Sequence, residues 1–211
     1  AEEVAAAPVQ DSVVAPKPLF RDPVYDGAAD PIIIRSRESG KWYMFYTLRR
    51  ANISSSDGVA WVHGSPIGMA VSDNLAEWDY LGQAEIGYKP DAEPTYWAPS
   101  VVDDGTTYHM FLTYVPGVFS DWEHPRHIVH LVSDDLLHWT YLPAAMAPDK
   151  PCDRDGCFSG SALALPDGRH LLMYTGNTKE YAIDGQVKEV QCQNLAFGDG
   201  MDYEKYEKNT V

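Results

Sequence analysis

The sequence has no long apolar run and few basic residues. No stretch approaches the roughly 18 apolar residues of a membrane-spanning helix, so no membrane partner is predicted. Lys and Arg total 16 against 31 Asp and Glu, for a net charge of −15. Such a surface repels phosphate backbones, so nucleic acid is not expected as a partner. The composition indicates a globular protein that is long enough to bury a sizeable core.

Cysteine is scarce as well, with three residues. Cys152 and Cys157 bracket the short loop CDRDGC, whereas Cys192 lies far along the chain. This spacing allows either a local disulfide or idle thiols, and it leaves the cellular compartment open.

The opening of the chain differs from the rest in composition. Residues 1–19 lack the initiator Met, the basic start and the apolar core of an intact signal peptide. They are rich in Ala and Pro, and we expect a flexible leader or the start of a processed form.

An internal repeat organises the remaining residues. One aromatic-rich segment occurs three times, as KWYMFYTL (41–48), TYHMFLTY (107–114) and RHLLMYTG (169–176). A second segment follows the first two copies, as AVSDNLAEW (70–78) and LVSDDLLHW (131–139). Asp, Gly and Ser separate the β-branched and aromatic runs, and no sustained 3.6-residue apolar period occurs, so hairpins are predicted throughout.

Repeated units of this kind predict an all-β fold, a β-propeller of four-stranded antiparallel blades over residues 20–211. About three blades are expected, at residues 30–83, 98–146 and 158–207. Three blades are too few to close a ring, and an open array leaves strand edges and apolar faces uncovered. The alternatives are a homodimer that completes the propeller, a different closure, or a fragment or chimera.

The first inner strand follows an acidic residue in DGAADPIII (26–34). Innermost strands of a propeller line the central channel, so a polar residue at their start is expected to point into it. Asp30 is therefore predicted to place its carboxylate at the axis, while the isoleucines after it pack between blades. The alternative is that Asp30 only forms a turn ahead of the strand.

Longer motifs resemble two families of glycoside hydrolases. Over residues 20–127 the chain is similar to family 43 and its relatives, through DGAADPIII, WYMFYTLRRA, WVHGSPIGMAVS, TYWAPSVV and YHMFLTYVPG. From about residue 128 it resembles family 32, the invertases and fructanases, through DDLLHWTYLPAAMAPDKP, DGCFSGSALALPDGRHLLMYTGN and EVQCQNLAF. Both families are five-bladed β-propellers with carboxylates around an axial pocket, so the resemblance implies a furanosidase or a related glycosidase.

The resemblance also implies roles for individual residues. Asp30 matches a D-P motif that supplies the nucleophile in family 32 and the general base in family 43. Asp155 fits a D-x-C stretch whose carboxylate orients and tunes the acid; alternatively, CDRDG is an exposed acidic turn. Phe158 and Ser159 match residues that line the sugar pocket of family 32. Carboxylates suit this chemistry because the oxocarbenium-like transition state needs nearby negative charge, and the leaving oxygen needs a proton.

The acid Glu of both families is expected beyond Val211. Glu93 and Glu189 match no acid position of either family, and the Arg-Asp-Pro at residues 21–23 precedes the first blade, where it is interpreted as a coincidence.

Three further residues are candidate sugar contacts. Trp97 is expected either to face the pocket as a stacking platform or to pack between blades. His63 contacts the substrate or is structural, and Arg49 rims the pocket or is solvated. His127 and His130 are three apart, so on a strand they face opposite sides, and no metal or other cofactor is predicted.

The predicted function is hydrolysis of furanosides in an oligo- or polysaccharide, with β-fructofuranosides favoured over arabinofuranosides. A secreted or periplasmic location is favoured over the cytoplasm. The alternative, from a different functional class, is a non-catalytic sugar-binding or structural propeller that lacks the acid Glu.

Overall fold

The computed structural model describes residues 18–52, 56–88, 90 and 93–211. The predicted leader lies outside the described residues, apart from its last two. Among the described residues, no helix has the length and apolar character needed to cross a membrane.

The described chain forms three stacked sheets, one for each copy of the repeat. The first contains β1 (Ala28–Arg35), β2 (Trp42–Leu48), β3 (Ile67–Ser72) and β4 (Asp79–Gln83), with a 3-10 turn, Ala60–Val62, between β2 and β3. The second contains β5 (Glu85–Ile86), β6 (Thr95–Asp103), β7 (Tyr108–Val115), β8 (His127–Ser133) and β9 (His138–Met146). The third contains β10 (Gly156–Ala164), β11 (His170–Tyr181), β12 (Val187–Gly198) and β13 (Tyr203–Lys205).

These sheets confirm the predicted all-β fold of four-stranded antiparallel blades. The strands of each blade pair antiparallel in sequence order. One strand was not predicted: the short β5 pairs parallel to β9, so that the end of blade 1 adds a fifth strand to the outer edge of blade 2. The inner strand β6 lies between β1 and β10 and contacts both.

Alternate side chains of the repeated second strand serve opposite faces of a blade, as a strand period of two requires. Phe45 of β2 joins the core between blades 1 and 2, where it meets Met110 of β7. The equivalent residue of blade 2, Phe111, likewise faces the next blade and packs with Leu172 of blade 3. Their counterpart in blade 3, Met173, is 43% exposed. The repeat therefore specifies one apolar layer after each blade.

The repeated Ser-Asp segment forms the turn between the third and fourth strands. The Ser72 hydroxyl accepts hydrogen bonds from the backbone N–H groups of Asn74 and Leu75, and Leu75 has φ +66°. In blade 2 the Ser133 hydroxyl binds the turn in the same way, and Leu136 has φ +68°. Because each serine side chain caps its turn, a structural role is sufficient to explain why this motif recurs.

The Arg-Asp-Pro at residues 21–23 has a structural role that its sequence position did not indicate. Asp22 is buried and accepts a 2.6 Å hydrogen bond from the Tyr46 hydroxyl of β2. In blade 3 the buried Asp153 accepts a 2.7 Å bond from Tyr174, the equivalent tyrosine. Lys205 adds a 2.6 Å ion pair to Asp153. Each carboxylate thus anchors the loop before an inner strand to the second strand of the same blade.

All three inner strands bulge at one place, opposite a repeated threonine. The register shifts lie between Ala29 and Ile32, between Trp97 and Ser100, and between Phe158 and Gly160. An extra residue in one strand bends it and re-aims side chains, and such bulges are frequent near functional sites. The extra residues include Asp30, Ala98 and Ser159, which are therefore equivalent in the three blades.

The three cysteines are free thiols in the structure, so residues 152 and 157 do not form the local disulfide that their spacing allowed.

Replacing Thr47 with valine should lower the free energy of unfolding by about 1–2 kcal/mol, because it leaves the half-buried N–H of Ala98 without its acceptor. Thr47 is fully buried, and its hydroxyl bridges blades 1 and 2. Urea unfolding followed by circular dichroism measures the change.

The matched control is Thr175→Val, at the equivalent position of blade 3. The Thr175 hydroxyl bonds Gln193 within its own blade, so this change should cost less than about 0.5 kcal/mol. Equal losses in both variants would contradict a role for the hydroxyl in joining blades.

Candidate functional site

The bulge of β1 holds the carboxylate of Asp30 at the junction of blades 1 and 2. The Thr47 hydroxyl donates to Asp30 Oδ2 at 3.2 Å and accepts from Ala98 N–H at 2.7 Å. Arg49 Nη2 lies 3.6 Å from the same Oδ2. The side chain of Asp30 keeps 42% of its surface exposed. A carboxylate oriented on one oxygen and open on the other is the arrangement that a nucleophile or general base requires.

The backbone at this bulge has an unusual conformation. Asp30 has φ +50° and Ala98 has φ +47°, both in the left-handed region. Residues other than glycine rarely adopt it, and it persists where surrounding structure enforces it, often at functional sites. Both residues precede a proline, which removes a backbone donor from the bulge. Asp30 lies within β1, at its bulge, and not in a turn ahead of the strand, and its carboxylate stays partly exposed. Its place at the propeller axis stays a prediction.

Aromatic rings gather beside the bulge of β6 around Trp97. The Trp97 ring lies 5.1 Å from His63, 5.8 Å from His124 and 6.2 Å from Trp122, measured between ring centroids. Its indole N–H donates to the Val62 carbonyl at 2.8 Å, which fixes the ring. Rings held in this way offer flat apolar faces against which a sugar can lie.

Arg126, which no sequence motif singled out, lies at the centre of this cluster. Its guanidinium carbon is 4.1 Å from the centroid of Phe158, 5.6 Å from Trp97 and 5.8 Å from Trp122. The residue is only 9% exposed, and among the described residues no carboxylate pairs with it within 4 Å. Its position just before β8, between His124 and His127, was the only available signal.

A chain of neutral groups connects Arg126 to the loop of blade 1. Arg126 Nε donates to His124 Nδ1 at 3.3 Å, and His124 Nε2 lies 2.9 Å from His63 Nε2. His63 Nδ1 lies 3.2 Å from the Val59 carbonyl, which can only accept. The arrangement assigns one proton to each ring, with His124 donating to His63.

This series of hydrogen bonds leaves no place for a second proton on either imidazole ring. Burial, together with the charge of Arg126 and the nearby His63, lowers the pKa of His124 to about 4. Burial also lowers the pKa of His63. A proton on His124 Nδ1 would face the Arg126 N–H, so both imidazoles are neutral at neutral pH.

The structure gathers most predicted site residues near the inner-strand bulges. Asp30 and Arg49 lie together, and Trp97, His63 and Phe158 surround the buried guanidinium. The Ser159 hydroxyl instead bonds Thr113 at 2.7 Å and so bridges blades 2 and 3, as Thr47 bridges blades 1 and 2.

Asp155 lies in the turn before β10. Its Oδ2 accepts from the Lys179 backbone N–H at 2.6 Å and from Arg154 at 3.3 Å. Among the described residues, no hydrogen bond or ion pair joins it to Asp30, and its tuning role stays a prediction. Two glutamates were considered as the general acid. Glu93 lies against Gly64, and the negative charge of Glu189 favours the protonated form of Arg126 and so raises its pKa, against the larger lowering effect of burial.

The histidines weighed as a metal cluster separate in the structure. His63 and His124 meet in the aromatic cluster, whereas His127 packs on Tyr114 and His130 bonds His109. These last two point to different neighbours, as their spacing predicted.

The stacked blades define a β-propeller of the glycoside hydrolase type. A family 117 glycoside hydrolase from the marine bacterium Zobellia galactanivorans superposes with a TM-score of 0.68, over 86% of this chain and 56% of that one. The identity is 19%, so this likeness concerns the fold.

The chain belongs to glycoside hydrolase family 32. The family described as "Glycosyl hydrolases family 32 N-terminal domain" matches residues 100–211, just over half of the chain. The match begins within β6, so it includes Arg126, Asp155, Phe158 and Ser159 but not Asp30.

Curated relatives agree with this family. An acid beta-fructofuranosidase of Arabidopsis thaliana, described as vacuolar, is 43% identical over 43% of this chain and 12% of its own length. A sucrose:sucrose 1-fructosyltransferase of Festuca arundinacea is 33% identical over 68% of this chain and 20% of its own length. The chain spans a fifth or less of the length of the curated relatives that it matches first.

The pKa of His124 predicts acid sensitivity. Because the folded pKa, about 4, lies below the unfolded value of about 6.5, the unfolded chain takes up the proton first. Stability should therefore fall as the pH drops from 6.5 towards 4, and His124 should account for about 2 kcal/mol by pH 5. Urea midpoints between pH 7 and pH 5 measure the slope, which His124→Gln should flatten.

His138→Gln is the control with the opposite sign. The carboxylate of Asp135 raises the pKa of the exposed His138, which therefore stabilises the fold at lower pH. Its loss should leave the slope unchanged or slightly steeper. A His124→Gln slope equal to that of the parent would contradict the proton-excluding chain.

Proposed function

We propose that the protein hydrolyses furanosides, with β-fructofuranosides as the first substrate class and arabinofuranosides as the second. Membership of family 32 and relatives named as beta-fructofuranosidases support this substrate order. Since the chain covers a small part of those relatives, the geometry at Asp30 is the observation that carries the proposal.

Asp30 acts as the nucleophile or as the general base. Thr47 and Arg49 both approach Oδ2, whereas Oδ1 has no hydrogen bond to any described residue. The free oxygen can reach an anomeric carbon or a water molecule. A carboxyl separation of about 5 Å from the acid favours retention, and about 6.5–9.5 Å favours inversion. Asp155 serves as the helper carboxylate in this proposal.

The aromatic cluster supplies the sugar contacts. Trp97 and Phe158 offer ring faces, and Arg126 offers N–H donors within the same cluster. The fully buried His63 supports the cluster, since both of its ring nitrogens are already hydrogen-bonded. Arg49 rims the site beside Asp30, and Ser159 holds the bulge of β10 in place. A substrate stacked here would lie along the junctions of the three inner strands.

The second candidate function is non-catalytic sugar binding. It is favoured by one observation: the described contacts of Asp30 are to Thr47 and Arg49, without a second carboxyl group that could act as the acid. This protein would bind a saccharide through the aromatic cluster and release no product.

Two further proposals concern assembly and location. The outer face of blade 3 exposes Leu163 and Met173, and a second copy that completes the propeller would cover it. A native mass of two chains would support this homodimer, and a mass of one chain would refute it. We also propose secretion or a periplasmic location, in keeping with one relative's description as vacuolar, since both compartments lie outside the cytosol.

Asp30→Asn should reduce hydrolysis of aryl β-fructofuranosides by at least about a thousandfold, because an amide neither attacks nor accepts a proton from water. The measurement is kcat/KM on aryl β-fructofuranosides and aryl arabinofuranosides. The control is Asp73→Asn, in the β3–β4 turn of the same blade, where the carboxylate is exposed and pairs only with Lys41.

Three outcomes separate the hypotheses. Loss of turnover in Asp30→Asn, with the Asp73 variant unaffected, supports the glycosidase. Turnover that survives in Asp30→Asn eliminates Asp30 as the reacting carboxylate. Calorimetric binding of saccharide by the parent without released sugar favours the binding protein.

A further inference from the structure

A second group of polar side chains lies between blades 2 and 3, near the β6–β7 and β10–β11 turns. Asp104 follows β6, His109 lies near the start of β7, and His170 is the first residue of β11. One carboxylate oxygen and one ring nitrogen from each histidine lie within 4.8 Å of one another. Both histidines are buried, and Asp104 is exposed. The bulges that carry Asp30, Ala98 and Ser159 lie towards the other end of the inner strands.

An unsatisfied buried nitrogen points to a missing partner. His170 is 1% exposed, and its Nε2 has no hydrogen-bond partner among the described residues, although its Nδ1 lies 2.8 Å from the Tyr203 hydroxyl. Buried polar atoms without a partner are rare and call for an explanation such as an ion. If Nδ1 carries the proton and donates to Tyr203, Nε2 holds a free lone pair that can bind an ion. Burial lowers the pKa of His170, which favours this neutral form.

The other two groups are oriented in the way that metal ligands usually are. Asp104 Oδ1 accepts hydrogen bonds from the backbone of Thr106 and Thr107, which leaves Oδ2 to face His109 Nε2 at 3.1 Å. Burial alone would raise the pKa of Asp104, but these hydrogen bonds outweigh it and hold the pKa well below its usual range. His109 Nδ1 bonds His130 Nε2 at 2.9 Å. Such outer contacts fix the ring orientation of metal-bound histidines.

We propose that Asp104, His109 and His170 bind a divalent transition-metal ion of the zinc class. Two imidazoles and one carboxylate match zinc and its neighbours, whereas calcium and magnesium require a shell of oxygen atoms. Three protein ligands leave one position for water, and the exposed side of Asp104 provides the entry path.

Protons balance in this binding step without a co-reactant. With no ion, His109 Nε2–H donates to Asp104, and His109 Nδ1 accepts from His130 Nε2–H. When an ion takes His109 Nε2, that proton moves to Nδ1 and donates to His130, whose own proton moves to its Nδ1. His130 Nδ1 has no partner in the part of the chain that the structure describes, so this shift leaves a buried N–H unpaired and moderates the affinity.

The site joins two blades, so its occupation should stabilise their junction. The rings of His109 and His170 lie 4.5 Å apart across the interface. The backbone of Gly200 closes over them, and a Cβ there would lie 3.1 Å from His109 Cε1. The inference does not depend on the proposed glycosidase activity, since no cluster residue contacts Asp30 or Arg126 through a hydrogen bond or an ion pair.

The test uses the purified untagged protein, stripped with chelator and titrated with zinc, calcium or magnesium chloride. Zinc should raise Tm by about 5 °C at saturation, because it binds the folded state selectively. Cobalt should give the visible absorption of a four-coordinate site. Asp104→Asn should weaken zinc binding about tenfold or more in calorimetry, and His170→Gln should abolish both signals.

His138→Gln is the matched control, since Asp135 and His138 form an exposed carboxylate–histidine pair at 2.7 Å with no second histidine. It should respond to zinc like the parent. If His170→Gln does not fold, the exposed Asp104→Asn decides. The proposal is overturned if zinc shifts Tm equally in the parent and in Asp104→Asn, if cobalt stays spectroscopically silent, or if calcium or magnesium replaces zinc.

Discussion

A buried threonine hydroxyl joins each pair of neighbouring blades, and the geometry of the site depends on it. Thr47 and Thr113 occupy equivalent positions on the second strands, and each reaches the bulge of the next inner strand. Apolar contact between blades is non-directional and would allow one sheet to slide over the next. A buried hydrogen bond would lose its partner in such a slide, at a cost of about 1–3 kcal/mol. The hydroxyls therefore fix the height of each blade against the next.

With the register fixed, the bulge residue is free to vary. It stands outside the regular ladder pairing, so Asp30, Ala98 and Ser159 can occupy the same place without disturbing the sheets. The left-handed backbone at Asp30 and Ala98 costs about 1–3 kcal/mol at each residue. The surrounding packing and the Thr47 hydrogen bonds offset this cost. One repeated scaffold can thus present a carboxylate in blade 1, a methyl group in blade 2 and a hydroxyl in blade 3.

Sequence reasoning succeeded where a feature is local or repeated. The strand that carries Phe45 and Phe111 recurs with each unit, and the Ser-capped turn occurs in the first two units, so the blades could be predicted. Contacts between units were harder, because distant segments supply them. Arg126 has no charged partner in its own segment, and His170 meets His109 only when two blades stack. The structural role of the Arg-Asp-Pro before blade 1 was not predicted, because the partner of Asp22, Tyr46, lies on a strand more than 20 residues away.

Polar side chains connect blades 2 and 3 at two places along the same strands. His109 and Thr113 lie on β7, and they meet His170 and Ser159 of blade 3, respectively. Phe158, next to Ser159, lies against Arg126 of blade 2. A tilt of blade 3 about the Thr113 contact would change how Phe158 faces the Arg126 guanidinium. The contact between His109 and His170 opposes that tilt. An ion held there would therefore influence the aromatic cluster through the rigidity of the junction, without touching any residue of that cluster.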